Sequence, residues 1–321
     1  MTWPIVLLGG GLLLLWKGAD WLVDGAVGIA ERFGVSQLVV GLTVVAMGTS
    51  APEAAASIAA VLSGKGNIAI GNVYGSNIAN LALVGGVVAL ISPLQVQART
   101  LKREVPTMLV VALLLWPFLR DLTILRGEAC ILLCIFAGLV AYTIHMARVT
   151  ATNGFSEKSQ HAGHPVRSLK RDVLFVLVGL VGLTAGARMT IIGAVAIGEY
   201  FHLSDAVIGS TIMAIGTSLP ELVTCVVAAL KGHHDISVGN LVGSNIFNTL
   251  LVTGAAGMVL PFTVDGRFAG GIDYWIMIGV TLAFGVAAVL GKRVVGRVSG
   301  VLFLIVYGSY LAYQLAFAQG A

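Results

Sequence analysis

Long apolar runs separated by short polar breaks set the pattern of this chain. The runs cover approximately residues 4–29, 36–62, 67–91, 104–120, 128–147, 172–198, 204–230, 236–261, 272–291 and 298–318. Each is near the roughly 20 residues that a helix needs to cross a hydrocarbon core. Ten transmembrane helices are therefore expected. In lipid every backbone polar group must be satisfied internally, so only helices or a closed barrel can span. The alternating segments of about 10 residues that a barrel requires are absent, and the pattern reads as an all-α membrane protein. The opening MTWPIVLL lacks the basic flank and small-residue cleavage site of a signal peptide, so it is read as the start of the first span.

Composition agrees. At 57% hydrophobic and 11% charged residues, with a mean hydropathy of +0.95, the chain has more apolar surface than a soluble globule of 321 residues could bury. The net charge of +4 does not argue for nucleic acid, because the basic residues mark loops and do not cluster as one face. With the N-terminus outside, thirteen Lys and Arg fall in inside loops, and only Lys65, Arg120, Arg126 and Arg267 fall in outside ones. The positive-inside rule then puts both termini outside.

Sliding the sequence against itself by 168 residues aligns GLTVVAMGTSAPE (41–53) with GSTIMAIGTSLPE (209–221), identical at 8 of 13 positions. The same shift aligns GNVYGSNIAN (71–80) with GNLVGSNIFN (239–248), identical at 7 of 10. One offset serving two separated motifs implies two homologous halves. The organisation expected is a first five-helix repeat over 1–149, a solvated cytoplasmic linker over 150–171 and a second repeat over 172–321. Five crossings are odd, so the second repeat enters with the opposite orientation. Inverted repeats are the architecture of secondary transporters, whose halves open alternately to either side. A continuous channel has no need of that arrangement.

Pro52 and Pro220 lack an N–H, which leaves the carbonyls of Gly48 and Gly216 without helical partners and predicts a kink at each motif. Such carbonyls are tolerated in a membrane only where they are buried in protein or line a polar cavity. Thr49, Ser50 and Glu53, and in the second half Thr217, Ser218 and Glu221, add hydroxyl and carboxylate oxygens within about one helical turn. A crowd of oxygens suits a hard cation. Calcium takes about 6–8 of them, whereas zinc or copper would call for His and Cys. On the next helix of each half, Gly71 and Gly75, like Gly239 and Gly243, form small-residue faces for close helix contact. From these faces Ser76, Asn77 and Asn80, with Ser244, Asn245 and Asn248, can add neutral oxygens. Asn72, Asn77, Asn240 and Asn245 can equally serve as hydrogen bonds between helices. Glu53 and Glu221 are ionisable groups inside spans, hence functional by default, and their pseudo-symmetry lets them meet at the centre.

These paired motifs resemble the α-repeats of the cation/calcium exchanger superfamily, and the ten-span layout resembles its prokaryotic Na+/Ca2+ exchangers. The resemblance implies an antiporter in the plasma (prokaryotic inner) membrane that carries Ca2+ against Na+, with three Na+ as the expected load. It implies that Glu53 and Glu221, with the backbone oxygens of Thr49 and Thr217, hold Ca2+. Ala46, Ser50, Ser76, Ala214, Ser218 and Ser244 would complete flanking Na+ sites. Asn80 and Asn248 match the family's central pair; some exchangers have Asp at one of these positions, and this chain has Asn at both. It also implies that the first and sixth helices rock across the motif helices. Oxygen ligands alone do not name the counter-ion, and H+ or K+ exchange on the same fold stays open.

Other polar residues are read more plainly. Lys17 and Asp20 are three apart and are expected to pair along the first helix, with Asp24 nearby and Arg188 at the position equivalent to Asp20. His233, His234 and Asp235 read as a solvated loop. Asp121, Glu128, Asp265 and Asp273 sit near outer loops, as weak cation attractors or solvated ends. Cys130, Cys134 and Cys225 read as packing residues. No Walker sequence indicates ATP, no nucleophile–base pair indicates an enzyme, and no cofactor or obligatory protein partner is expected.

Overall fold

The computed structural model describes residues 2–152, 168–202 and 214–320. The middle of the linker expected at 150–171 and most of the first half of the seventh expected span lie outside the described residues. The order is α1 (Thr2–Phe33), α2 (Gln37–Thr49), α3 (Ala51–Leu62), α4 (Gly66–Ile91), β1 (Leu94–Gln95), α5 (Val105–Phe118), β2 (Thr123–Ile124), α6 (Arg126–Thr152) and α7 (Leu169–Tyr200). The second half continues with α8 (Ala214–Thr217), α9 (Leu219–Leu230), α10 (His234–Val259), β3 (Phe262–Thr263), α11 (Ile272–Leu290), β4 (Val294–Val295) and α12 (Arg297–Gly320).

Among the described residues, seven helices are long and apolar enough to cross a membrane, or eight when α2 and α3 count as one bent span. That count does not reach the expected ten. The two remaining stretches give helices of 14 residues (α5) and 12 residues (α9). The first is prolonged by helical residues Ala98 and Arg99 and a π turn over Thr100–Glu104, a stretch that carries Arg99, Lys102, Arg103 and Glu104, and the second adjoins residues outside those described. The expected kink at Pro52 is a full break: α2 and α3 meet at Ser50 with a bend of 42°. Pro52 falls in the first turn of α3, where its missing N–H costs nothing, so it starts a new helix.

In lipid the apolar outer surface is not a liability. Trp3, Leu13, Val181, Leu290 and Val298 are each at least two-thirds exposed, which fits contact with acyl chains. Inside, one large apolar cluster joins α4, α5, α10 and α11, and a smaller one joins α1, α2, α7 and α9. Two short antiparallel ladders staple the halves together: β1 pairs β4, and β2 pairs β3. A shift of 168 carries β1 onto β3, so the two ladders are pseudo-equivalents.

Helix α1 lies against α7 along a seam of glycines spaced seven apart. Gly11, Gly18 and Gly25 face Thr190, Leu183 and Val176, while Gly179, Gly186 and Gly193 face Leu22, Leu15 and Leu8. A Cβ at Gly18 would lie 2.7 Å from the Leu183 nitrogen, and one at Gly186 2.7 Å from the Leu15 nitrogen. With no hydrophobic drive between helices in lipid, such backbone approach supplies the dispersion contact that holds them. The pair therefore forms a closely packed unit.

Gly18→Ala should cost about 1–3 kcal/mol of stability by forcing the seam apart. Gly9→Ala, where a Cβ meets nothing within 4 Å, should leave stability unchanged or raise it by up to ~1 kcal/mol. Thermal unfolding in detergent reads both, and equal effects would contradict the close seam.

Candidate functional site

The two proline motifs place a carboxylate in the first turn of a half-helix, Glu53 on α3 and Glu221 on α9. A helix N-terminus carries exposed N–H groups and the positive end of the helix dipole, which favours a negative charge there. Both glutamates are 1% exposed. They sit at the crossing of the halves. Ser50 Oγ of the first half donates to Glu221 Oε1 of the second at 3.3 Å. Thr49 Oγ1 donates to Asn240 Oδ1 at 3.1 Å. Ser50 precedes Glu53 by three residues, so the Glu221 carboxylate is set beside the turn that carries Glu53.

Behind each glutamate stands the same device. Asn72 Nδ2 donates to the Glu53 carbonyl at 3.1 Å and to Ser57 Oγ at 2.9 Å. Asn240 Nδ2 donates to Cys225 Sγ at 3.2 Å. The 168 shift carries Asn72 onto Asn240 and Ser57 onto Cys225. Ser57 and Cys225 then donate to carbonyls of the next helix, Ala69 at 3.3 Å and Ser237 at 3.5 Å. Sequence reasoning missed Ser57 and gave Cys225 only a packing role. The shift that paired the motifs also pairs these two residues.

The remaining polar atoms are conspicuous for what they lack. Both carboxylate oxygens of Glu53, Glu221 Oε2, the hydroxyls of Ser218 and Ser244, and the amide groups of Asn80 and Asn248 are buried with no hydrogen-bond partner among the described residues. Each such group costs about 1–3 kcal/mol, more if charged, so a concentration of them marks a place built to meet another species. No cluster of three or more His, Cys, Asp or Glu side chains is placed to hold a metal among the described residues. A cation at this crossing would meet two carboxylates and otherwise hydroxyl, amide and carbonyl oxygens. That donor set fits a hard cation.

Of the expected residues, Ala46, Thr49, Ser50, Glu53, Ser76, Asn80, Ser218, Glu221, Ser244 and Asn248 are all buried. Thr217 is half-buried at the end of α8, and Ala214 is its first residue. Asn80 and Asn248 each lie in a π turn, Ala79–Val84 and Asn248–Val252, a feature with no sequence signal here. Such turns recur at functional sites because one extra residue re-aims the side chains around it. Of the other asparagines, Asn77 bridges the halves through Thr249 Oγ1 at 2.9 Å, whereas Asn245 bonds within its own helix to the Leu241 carbonyl at 2.8 Å. The glycine faces also differ. A Cβ at Gly239 would lie 2.8 Å from the Leu38 carbonyl and one at Gly243 2.7 Å from Ala46 Cβ, so α10 packs tightly on α2. Gly71 makes only ordinary contact and Gly75 none within 4 Å; the stretch equivalent to α2 lies mostly outside the described residues.

Several plainer readings change. Lys17 is 4.0 Å from Asp20, but the nearer partner of Asp20 is Lys231, at 2.5 Å, and Lys231 also meets Asp24 at 2.8 Å. Burial opposes the Lys231 charge, but the two aspartates outweigh it and hold the ammonium above its ordinary pKa. The histidine loop is not a solvated face: His233 Nδ1 lies 3.0 Å from Gln37 Oε1, and Asp235 accepts from Gln97 at 2.6 Å. Asp265 pairs with Asn67 at 2.6 Å and Asp273 with Arg267 at 2.7 Å, so these outer acids act as loop ties. Glu128 accepts from the Leu125 N–H at 2.8 Å, and Asp121 from the Thr123 N–H at 3.2 Å, each a local turn contact. Cys130 and Cys134 are exposed on α6.

Comparison with known proteins follows the same outline. The family model described as "Sodium/calcium exchanger protein" matches residues 3–145 and 172–316, one match for each half. CaxA of Alkalimonas amylolytica, provisionally named an antiporter, is 39% identical over 95% of this chain and 96% of its own. The sodium/calcium exchanger MaX1 of Methanosarcina acetivorans is 33% identical over 94% of this chain and 95% of its own. Among solved structures, the sodium/calcium exchanger from Methanococcus jannaschii superposes with a TM-score of 0.82 at 30% identity, covering 97% of this chain and 98% of that one.

The hydrogen bond between the halves can be tested by stability. Thr49→Val removes the donor to Asn240 Oδ1 and should cost about 1–3 kcal/mol, whereas Thr49→Ser, which keeps a hydroxyl, should cost less. Equal losses in thermal unfolding would mean that the hydroxyl contact does not matter.

Proposed function

The chain belongs to the sodium/calcium exchanger protein family, and on that premise we propose that it is a secondary-active antiporter exchanging Ca2+ for Na+ across the plasma membrane. The observation that carries this reading is the set of buried oxygens without partners around Glu53 and Glu221. In this reading Glu53, Glu221 and the backbone oxygens of Thr49 and Thr217 hold Ca2+. Ala46, Ser50, Ser76, Ala214, Ser218 and Ser244 complete Na+ sites, and Asn80 and Asn248 complete the centre. The protein acts as a transporter and not as an enzyme. Ten crossings in two inverted five-helix repeats belong to the same reading, supported by the 168-residue repeat and by the pseudo-equivalent ladders. The loop-charge bias supports both termini outside.

Exchange follows from charge. The two carboxylates neutralise one Ca2+, or they serve several Na+ in separate oxygen pockets, but the shared glutamates forbid both fillings together. An empty site holds two bare carboxylates in a low dielectric, and moving it between orientations costs more than moving a filled, nearly neutral one. Influx of one ion is thereby tied to efflux of the other. With Asn80 and Asn248 uncharged, Ca2+ brings the site to neutrality, whereas three Na+ leave one net positive charge. Each cycle would then move one charge, worth about 2.3 kcal/mol per 100 mV. An inside-negative potential would favour Na+ entry and Ca2+ exit.

The direct test is Ca2+ flux in proteoliposomes loaded with Na+, with K+, or with only a pH gradient. Ca2+ uptake should follow the outward Na+ gradient alone and, because three Na+ leaving for one Ca2+ entering carries positive charge outward, accelerate under an inside-positive potential. Flux driven equally by the pH gradient would replace Na+ with H+ in the proposal, and insensitivity to a clamped potential would exclude the three-to-one load.

Glu53→Gln and Glu221→Gln should each abolish exchange while the protein folds normally, because each removes a charge that Ca2+ needs. Wild-type rates in either purified variant would take these residues out of the site.

A further inference from the structure

We propose that Lys231, with Asp20 and Asp24, is a positioning group that couples the α1/α7 pair to the half-helix carrying Glu221 and favours one orientation of the exchanger over the other. The proposal rests on the antiporter reading for its functional consequence. Its structural basis is independent of that reading.

Lys231 caps the C-terminus of α9, where the helix dipole favours a cation. Its Nζ meets Asp20 Oδ1 at 2.5 Å, Asp24 Oδ1 at 2.8 Å and the Asp20 carbonyl at 3.3 Å. An ammonium has three donors, and all three are spent on α1. The aspartates are four apart, so they share a face of α1 and converge on one cation. Because α1 is held to α7 by the glycine seam, a tie to α1 also restrains α7. At its other end α9 carries Glu221, so the contact connects the ion site's own half-helix to the helix pair beside it.

The repeat supplies the control. A shift of 168 carries Lys231 back to Ser63, and Asp20 and Asp24 forward to Arg188 and Ile192. No ion pair is available from that set. Ser63 Oγ donates to its own helix, to the Ala59 carbonyl at 2.8 Å, and Arg188 is exposed with no acidic partner among the described residues. In an inverted-repeat antiporter the halves exchange roles between the two orientations, so a symmetric chain would weight them equally. A contact present at one end and lacking its equivalent at the other makes them unequal. The orientation seen here is the one the tie favours.

Apparent affinity at each face equals intrinsic affinity scaled by the fraction of protein open to that face, so the ratio of apparent affinities at the two faces tracks this equilibrium. Partly exposed ion pairs are individually weak, and two of them should shift the ratio by about three- to tenfold. The experiment measures apparent Ca2+ affinity from each face of proteoliposomes for wild type, Lys231→Met, Lys231→Arg and the Asp20→Asn/Asp24→Asn double variant. Lys231→Met and the double variant should move the ratio in the same direction and by a similar factor, with Lys231→Arg near wild type. In parallel, hydrogen–deuterium exchange of the full chain should accelerate around 225–233 and 20–33 in Lys231→Met, with no change around 60–66. An unchanged face ratio, or an equal loss at both faces, would overturn the coupling role, and unchanged hydrogen exchange would overturn the tie itself. If wild type carries no ion against another, the antiporter reading fails, and the hydrogen-exchange comparison still decides whether the contact restrains the helices.

Discussion

Two carboxylates buried at the crossing of the halves are the constraint on which the rest of the structure depends. Glu53 and Glu221 are 1% exposed, in a protein whose outer surface faces lipid. Taken out of water without a partner, each charge is expensive. The surrounding features are answers to that cost. Helix N-termini, hydroxyls from the opposite half and the potential to admit a cation all make the pair tolerable. In the proposed antiporter the same cost would make a filled site cross between orientations more readily than an empty one.

The repeat is the means by which a chain of ordinary helices assembles such a site. One GTSxPE motif supplies a half-helix, a carboxylate and free carbonyls, but too few oxygens to enclose a hard cation. Two of them, opposed, bring Ser50 to Glu221 and Thr49 to Asn240. The asparagines behind, Asn72 with Ser57 and Asn240 with Cys225, fix each half-helix to its neighbour without drawing on the carboxylates. The two ladders and the glycine seam then hold the halves close enough for these contacts to form.

Pseudo-symmetry ends where the halves have diverged. Cys225 replaces the hydroxyl of Ser57 with a weaker donor and acceptor. Asn240 reaches across to Thr49, whereas Asn72 bonds within its own half. Lys231 meets two aspartates where its equivalent, Ser63, turns back on its own helix. In the proposed antiporter such differences would distinguish two orientations that a perfect repeat would leave degenerate.

The sequence by itself determined the solvent, the helical class and the 168-residue repeat, and it singled out Glu53 and Glu221, which the structure buries. Hydropathy needs no tertiary contact to be read, and a constant shift of 168 is arithmetic on the chain. It pointed to a kink at Pro52, but whether the proline bends a helix or starts one depends on packing around Ser50, and the structure shows a break of 42°. The π turns at Asn80 and Asn248 were not legible, since one extra residue in a helical turn leaves the apolar pattern of the run unchanged. Nor was the partner of Asp20. Along the chain Lys17 is the nearest cation, three residues away, while Lys231 is 211 residues distant; only folding brings α9 beside α1. The same holds for His233 with Gln37 and Asp235 with Gln97. Burial pattern and repeat are properties of one dimension, whereas the choice of partner for a charge is settled by whichever opposite group the packed helices bring within about 3 Å.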